Sequence, residues 1–141
     1  MTTFDFDRGL AMRRRVLGDA YVDGALGRAD AFTAPLQDLV TAFAWGTVWT
    51  RDDLPPATRS LLTLAMLTAL NRPHELRAHA LGALRNGCTV GDLRAVLLHA
   101  AVYCGFPAAV DAFAAVAAVL REAGIDTATP IDTVVSDEER P

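Results

Sequence analysis

The sequence LLTLAMLTALNRPHELRAH, residues 61–79, joins two helices of different character. Its first part, Leu61–Leu70, is apolar on nearly every side, which is typical of a helix that is central in its fold or covered by partner subunits. Pro73 suits the first position of a helix, because a missing N–H costs nothing there, and Arg72 before it is disfavoured in helical geometry. The stretch therefore predicts an apolar helix, a short break and a second helix beginning at Pro73.

Helical patterns continue on both sides of this pair, and no segment shows the alternation of a strand. The predicted segments are a helix at Phe6–Leu17, a loop or short helical turn at Gly18–Gly27, and helices at Ala31–Val48, Ala57–Leu70, Pro73–Asn86, Thr89–Gly105 and Pro107–Gly124. We therefore predict an all-α, single-domain bundle of six or seven helices over residues 1–124. Residues 125–141 have little apolar pattern, so we expect a mobile C-terminal tail there.

Length and composition limit the possible functions. The chain has 141 residues, of which 52% are hydrophobic, enough for one domain with a real core. A net charge of −4 provides no basic surface for nucleic acid. Leu61–Leu70 is too short to span a bilayer, and the acidic start Met1–Phe6 lacks an apolar export signal. We expect a cytoplasmic protein without a membrane partner, and its surplus of apolar helix surface predicts a homo-oligomer.

The cysteines give no sign of a metal or redox centre. Cys88 and Cys104 are sixteen residues apart, which is neither a CxxC pair nor a zinc-ligand spacing. We expect two reduced, mostly buried thiols and no bound metal.

Residues 71–79 also hold the densest group of reactive side chains. Glu75 and His79 are four residues apart and therefore project from one helix face, which the long side chain of Arg72 can also reach. The N-terminus of a helix favours anions as well. The pattern predicts a site for a small anionic molecule, although a Glu and a His at this spacing can equally form a solvated surface pair.

Several other residues allow both a structural and a functional interpretation. Trp45 and Trp49, four apart, are core anchors or line a ligand pocket. Arg59, in the first turn of its helix, forms a salt bridge or contacts substrate. The three arginines at 13–15 point around their helix, which favours a solvated or subunit-contacting role. His99, on an apolar helix, is expected to be a hydrogen-bonded core residue.

Five blocks of the sequence, in the same order, resemble the 4-carboxymuconolactone decarboxylases of the alkylhydroperoxidase-D-like superfamily. The resemblance extends over about Phe6 to Glu122. The blocks are Gly9–Val22, Phe43–Trp49, Arg59–Glu75, Asn86–Thr89 and Ala100–Ala109. It implies an all-helical alkylhydroperoxidase-D-like bundle, usually a homohexamer. It also implies a cofactor-free carboxy-lyase that converts 4-carboxymuconolactone to 3-oxoadipate enol-lactone and CO₂, in the protocatechuate branch of the β-ketoadipate pathway.

The resemblance also suggests roles for the central stretch. Superfamily members with redox activity carry CxxC followed by His where this chain has Arg72, Glu75 and His79, so disulfide chemistry is not expected here. The implied substrate is a small lactone with two carboxylates. Arg72 would clamp the carboxylate that stays, His79 would be the proton donor or oxyanion partner, and Glu75 would orient His79 or share its proton. His74 is a second candidate for contacting the substrate.

Other functions remain open from the sequence. One is a peroxide-linked thiol enzyme of the same superfamily, which the missing CxxC argues against. A second is a thiol-independent relative that acts on another small acid or lactone. The third is a non-catalytic helical oligomer that serves as a binding protein.

Overall fold

A computed structural model of the chain describes residues 5–130, and every regular element in that range is helical. The elements are α1 (Phe6–Leu17), α2 (Asp19–Gly27), α3 (Ala34–Leu39), a π-helix (Val40–Val48), α4 (Pro56–Ala69), α5 (Pro73–Arg85), α6 (Val90–Cys104) and α7 (Phe106–Glu122). The prediction of an all-α fold is confirmed. So is the predicted start of α5 at Pro73, and the capping box at Thr89 and Asp92 is present.

The N-terminal third differs from the sequence prediction in two places. Gly18–Gly27 was expected to be a loop or short helical turn, but the nine-residue helix α2 forms there because the low helix propensity of glycine is only a weak preference. The helix expected from Ala31 begins only at Ala34. The carboxylate of Asp30 accepts hydrogen bonds from the backbone N–H groups of Phe32 and Thr33 at 3.0 and 2.9 Å, and this turn delays the helix.

The second half of that predicted helix, Val40–Val48, is a π-helix. Just beyond its end, the N–H of Trp49 donates to the carbonyl of Ala44, five residues back, at 3.0 Å. Two glycines bring this helix against α1: a Cβ at Gly9 would lie 1.9 Å from the Thr41 carbonyl oxygen, and a Cβ at Gly46 would lie 2.4 Å from the Asp5 carbonyl oxygen. No larger residue fits either place, so the backbones of α1 and the π-helix are in direct contact.

Residues 5–130 form two hydrophobic cores. The larger one, here called the C-terminal core, lies among α4, α5, α6 and α7. Its fully buried leucines are Leu64, Leu76, Leu93 and Leu97. The smaller one, the N-terminal core, consists of Val16, Leu17, Val22 and Trp45, with residues of α1, α2, α5 and the π-helix packed around it.

Helix α5 separates the two cores and contributes to both. Leu76 and Ala80 belong to the C-terminal core, whereas Ala78 packs against the N-terminal core. Gly82 faces α1, where an added Cβ would lie 3.0 Å from Val16 Cγ1. The helix that carries the predicted site therefore has one face toward each core.

The predicted tail, 125–141, falls only partly within the described residues. Ile125 still packs against the C-terminal core, and its N–H donates to the Leu120 carbonyl at 2.9 Å. Residues 131–141 lie outside the described range, so the domain boundary and the mobility of the tail stay predictions. Between residues 5 and 130, no helix combines the length and apolarity needed to cross a membrane.

Candidate active site

Three aromatic rings meet where α5 faces the π-helix. Trp45 and Trp49 stack at a centroid distance of 4.8 Å. The imidazole of His79 lies parallel to Trp45 at 6.0 Å, with 5° between the planes, and 6.2 Å from Trp49. The four-residue spacing predicted that both tryptophans share a helix face, and they do. The structure thus brings together three of the predicted site residues, which we call the aromatic cluster.

The imidazole in this cluster is electrically neutral near neutral pH. Its Nδ1 atom is fully buried and has no hydrogen-bond partner within residues 5–130. Burial lowers the pKa of His79 from its ordinary value of 6.5 to about 4, and the negative charge of Glu75 offsets only part of that effect. A neutral imidazole offers one N–H donor and one acceptor nitrogen, so His79 can donate a hydrogen bond but is a weak acid.

Glu75 acts on His79 only through its charge. Its side chain is exposed in the first turn of α5, and among the described residues no hydrogen bond connects it to the imidazole. The attraction of the carboxylate is weaker than the desolvation of the imidazole, so it does not keep His79 protonated near neutral pH. That Glu75 orients His79 or shares its proton stays a prediction.

Arg72 and His74 lie at the exposed N-terminal end of the same helix. Arg72 borders a narrow crevice that α4 and α7 line through Leu67, Thr68 and Ala112. These elements differ from those around His79, which is in contact with the π-helix. The joint site of Arg72, Glu75 and His79 therefore stays a prediction.

Arg59 is a largely buried side chain with an acidic partner. Its Nη2 lies 2.5 Å from Oδ1 of Asp53, and Arg51 contacts the same carboxylate. These two guanidinium groups hold the pKa of Asp53 below its ordinary value. The geometry favours the salt-bridge interpretation over substrate contact: Arg59 ties the connector 49–55 to the start of α4.

Arg13 lies inside the fold and not on the surface where it was expected. The arginines at 13–15 were expected on a solvated or subunit-contacting face, but Arg13 is only 5% exposed. Its Nη1 donates to Gln37 Oε1 at 2.9 Å and to Thr41 Oγ1 at 3.0 Å, and its Nε has no partner within residues 5–130. Arg13 lies four residues after Gly9 and three before Val16, both of which are buried, so it shares their helix face. That spacing was the sequence signal for its burial.

Comparison with known proteins identifies the family. The family model described as carboxymuconolactone decarboxylase matches residues 34–118. A 4-carboxymuconolactone decarboxylase of Acinetobacter baylyi is 39% identical over 120 residues, which are 85% of this chain and 90% of that protein. The chain belongs to the carboxymuconolactone decarboxylase family. The resemblance seen in the sequence is thereby confirmed.

Family members do not all have the same activity. A nitrosuccinic acid decarboxylase of Metarhizium robertsii is 48% identical over 107 residues, 76% of this chain and 75% of that protein. A 4-carboxymuconolactone decarboxylase sequence of Pseudomonas putida is 42% identical over 41 residues, which cover 29% of this chain and 85% of that sequence.

The thiols of this family member lie apart from the aromatic cluster. Cys88 is buried in the C-terminal core, where desolvation raises its pKa, while Cys104 is exposed at the end of α6. The expectation of two mostly buried thiols is therefore right for Cys88 only. Likewise His99, expected in the core, is exposed and packs its ring against Tyr103. In the described part of the chain no three His, Cys, Asp or Glu side chains are grouped to hold a metal ion.

Proposed function

We propose that this protein decarboxylates 4-carboxymuconolactone to 3-oxoadipate enol-lactone without a bound cofactor. The observation that carries the proposal is the neutral His79 in the aromatic cluster, in a chain that aligns with a 4-carboxymuconolactone decarboxylase over 85% of its length. The reaction breaks the bond between the ring carbon and the carboxylate. The electron pair flows through the unsaturated lactone to its carbonyl oxygen, and a proton then adds to carbon.

His79 fits the oxyanion-partner role better than the proton-donor role. A neutral imidazole N–H aimed at the lactone oxygen becomes a stronger hydrogen-bond partner as negative charge develops there, which lowers the barrier without proton transfer. Its pKa of about 4 means that little imidazolium is available as an acid near neutral pH.

Trp45 and Trp49 would provide the apolar wall for the leaving carboxylate. Trp45 is 4% exposed and both indoles pack against the imidazole. Removing water from an ionised carboxylate favours its departure as neutral CO₂. The retained carboxylate needs a cation, for which the sequence analysis named Arg72.

Nitrosuccinic acid is the second candidate substrate, because the relative named for that activity is more similar in sequence, at 48% identity. The two substrates share a succinate unit: two carboxylates on adjacent carbons, one of which is lost. In each, an electron-withdrawing group receives the electrons, the unsaturated lactone in one and the nitro group in the other. One site with an oxyanion partner and one carboxylate-binding cation therefore suits both.

The test is incubation of the purified protein with each substrate, with and without EDTA. We expect CO₂ release and the enol-lactone, detected by proton NMR, from 4-carboxymuconolactone. A higher kcat/KM for nitrosuccinate would make that acid the substrate instead. Release of CO₂ from neither would contradict the decarboxylase assignment, and loss of activity with EDTA that one added metal restores would contradict the cofactor-free mechanism.

We also propose that the protein is a homo-oligomer. The number of six subunits is what the family resemblance implies. Large apolar side chains are exposed along α4, α6 and α7, namely Leu62, Met66, Leu70, Leu98, Val102, Phe106 and Val110. Such a surface is more typical of an interface than of a monomer. Light scattering that gives a stable, active monomer would contradict this.

A cytoplasmic location is also proposed, since both described cysteines are free thiols.

A further inference from the structure

Arg13 is a buried cation without an acidic partner. Its neighbours are neutral: the Gln37 amide, the Thr41 hydroxyl and the Tyr21 phenol. Within residues 5–130 no carboxylate pairs with it, and its Nε remains without a hydrogen bond. Arg59 is the contrasting case, since it also has an unpaired Nε but lies against Asp53. A charge withdrawn from water without an opposite charge is unfavourable. The burial of Arg13 without an acidic partner therefore needs an explanation.

The position of Arg13 relative to the aromatic cluster follows from the π-helix. Gln37 of α3, Thr41 and Trp45 of the π-helix and Trp49 just beyond its end are each four residues apart, a spacing that keeps side chains on one side of a helix. The shared contact of Arg13 with Gln37 and Thr41 and the stacking of Trp45 on Trp49 agree with such a row. Arg13 binds the first two positions of this row, Gln37 and Thr41. His79 stacks against the last two, Trp45 and Trp49. The guanidinium, which has no acidic partner among residues 5–130, and the imidazole, whose Nδ1 has no hydrogen bond there, therefore contact the same row of side chains.

We propose that Arg13 binds the carboxylate that the substrate retains, and so forms the cationic half of a site whose other half is His79. This inference rests on the proposed function and assigns Arg13 the part that the sequence analysis gave to Arg72. Gln37 and Thr41 are positioning residues, since their oxygens hold Nη1 and leave Nε free for an anion. Guanidinium suits this task because its fixed N–H groups match the two oxygens of a carboxylate.

The probe is succinate, the dianion that both candidate substrates contain, titrated by calorimetry into the full-length protein. Arg13→Met keeps most of the side-chain length and removes the charge. Arg15→Met makes the same change at an exposed position two residues away. We expect Arg13→Met to weaken succinate binding about 10- to 100-fold, the range for a hydrogen bond to a charged group, and Arg15→Met to bind as the parent does.

Steady-state kinetics should distinguish Arg13→Met from Arg15→Met in the same way. The carboxylate is present in the substrate and in the transition state alike, so Arg13→Met should mainly raise KM and leave kcat within about threefold. Parent-like KM and succinate affinity in Arg13→Met would overturn the proposal. So would a variant that loses its oligomeric state but still binds succinate as the parent does, because Arg13 would then contact a neighbouring subunit.

A measurement on the parent protein covers the case in which Arg13→Met does not fold. In ¹⁵N-arginine-labelled protein, the Nε–H resonance of Arg13, assigned with Arg13→Lys, should move on addition of succinate and stay in place with neutral succinamide. An unmoved resonance, or no succinate binding at all, would overturn the proposal. If succinate binding depends on Arg13 but neither substrate loses CO₂, the anion site stands and the proposed function fails.

Discussion

The two faces of α5 differ in what they bury. The face toward the C-terminal core presents Leu76, Ala80 and Ala83, which are 1% exposed or less and have apolar side chains only. A second face presents Ala78, His79 and Gly82 to α1 and the π-helix. There a polar atom, His79 Nδ1, is buried without a partner. Such groups are rare in native proteins and each needs an explanation, which the proposed role of His79 would supply. We call the face with Leu76, Ala80 and Ala83 the packing face and the face with Ala78, His79 and Gly82 the chemical face.

The largest effect should come from the packing face. Leu76→Ala removes a fully buried side chain and leaves a cavity in the C-terminal core, so we expect the free energy of unfolding to fall by about 2–5 kcal/mol. Activity of the remaining folded protein should stay close to the parent value, because Leu76 packs in the C-terminal core and is not part of the aromatic cluster. Urea denaturation monitored by circular dichroism, with kcat measured in parallel, checks both. A large loss of kcat in folded Leu76→Ala would show that the two faces are not independent.

On the chemical face, His79→Phe should lower activity while the protein still folds. Phenylalanine keeps a ring next to Trp45 and Trp49 but has no N–H to donate. We expect kcat to fall about 10²- to 10³-fold, as for loss of one oxyanion hydrogen bond, with KM and the circular dichroism spectrum little changed. His99→Ala is the matched control, since His99 is exposed on α6, outside the aromatic cluster. Normal turnover by His79→Phe would exclude His79 from catalysis and move the search to His74.

The difference between the two faces of α5 also explains which features the sequence could predict. Around the packing face, apolar periodicity, Pro73 and the Thr89–Asp92 capping box placed α4, α5 and α6 to within one or two residues, because local rules decide these elements. Around the chemical face the decisive features are contacts between distant segments. Gly9 and Gly46 allow α1 to touch the π-helix, and nothing in the sequence of residues 40–48 indicates a π-helix instead of an α-helix.

The candidate site was predicted in part for the same reason. The spacing of Trp45 and Trp49, together with the family resemblance, found three members of the aromatic cluster. Arg13 was expected on a solvated or subunit-contacting face because three adjacent arginines resemble such a face, and its helical spacing to Gly9 and Val16 was a weak signal beside them. Arg14 pairs with Asp19 and Asp23 on α2, Arg15 is exposed, and Arg13 is buried.

Lower pH should weaken the fold through the chemical face. The folded pKa of His79, about 4, lies below the 6.5 of an unperturbed histidine, so the unfolded chain binds a proton first. The contribution of this residue is therefore fully present above about pH 6.5 and is lost as the pH falls toward 4. The loss is at most about 3 kcal/mol. Denaturation curves from pH 7 to 4 should show a steeper decline for the parent than for His79→Phe. An NMR titration that places the pKa of His79 near 6.5 would contradict the neutral imidazole with its buried Nδ1.

The smallest effect should come from Glu75, which lies on the same helix but outside the aromatic cluster. Its charge raises the pKa of His79 while burial lowers it more strongly, so Glu75→Gln should lower that pKa slightly further and leave the imidazole neutral. If Glu75 acts only through this charge, kcat should change by less than about tenfold, or 1.4 kcal/mol of barrier. Asp111→Asn, which removes an exposed carboxylate from α7, controls for the change in net charge. A hundredfold loss of kcat confined to Glu75→Gln would instead identify Glu75 as the acid that protonates carbon, a step that a neutral His79 cannot readily supply.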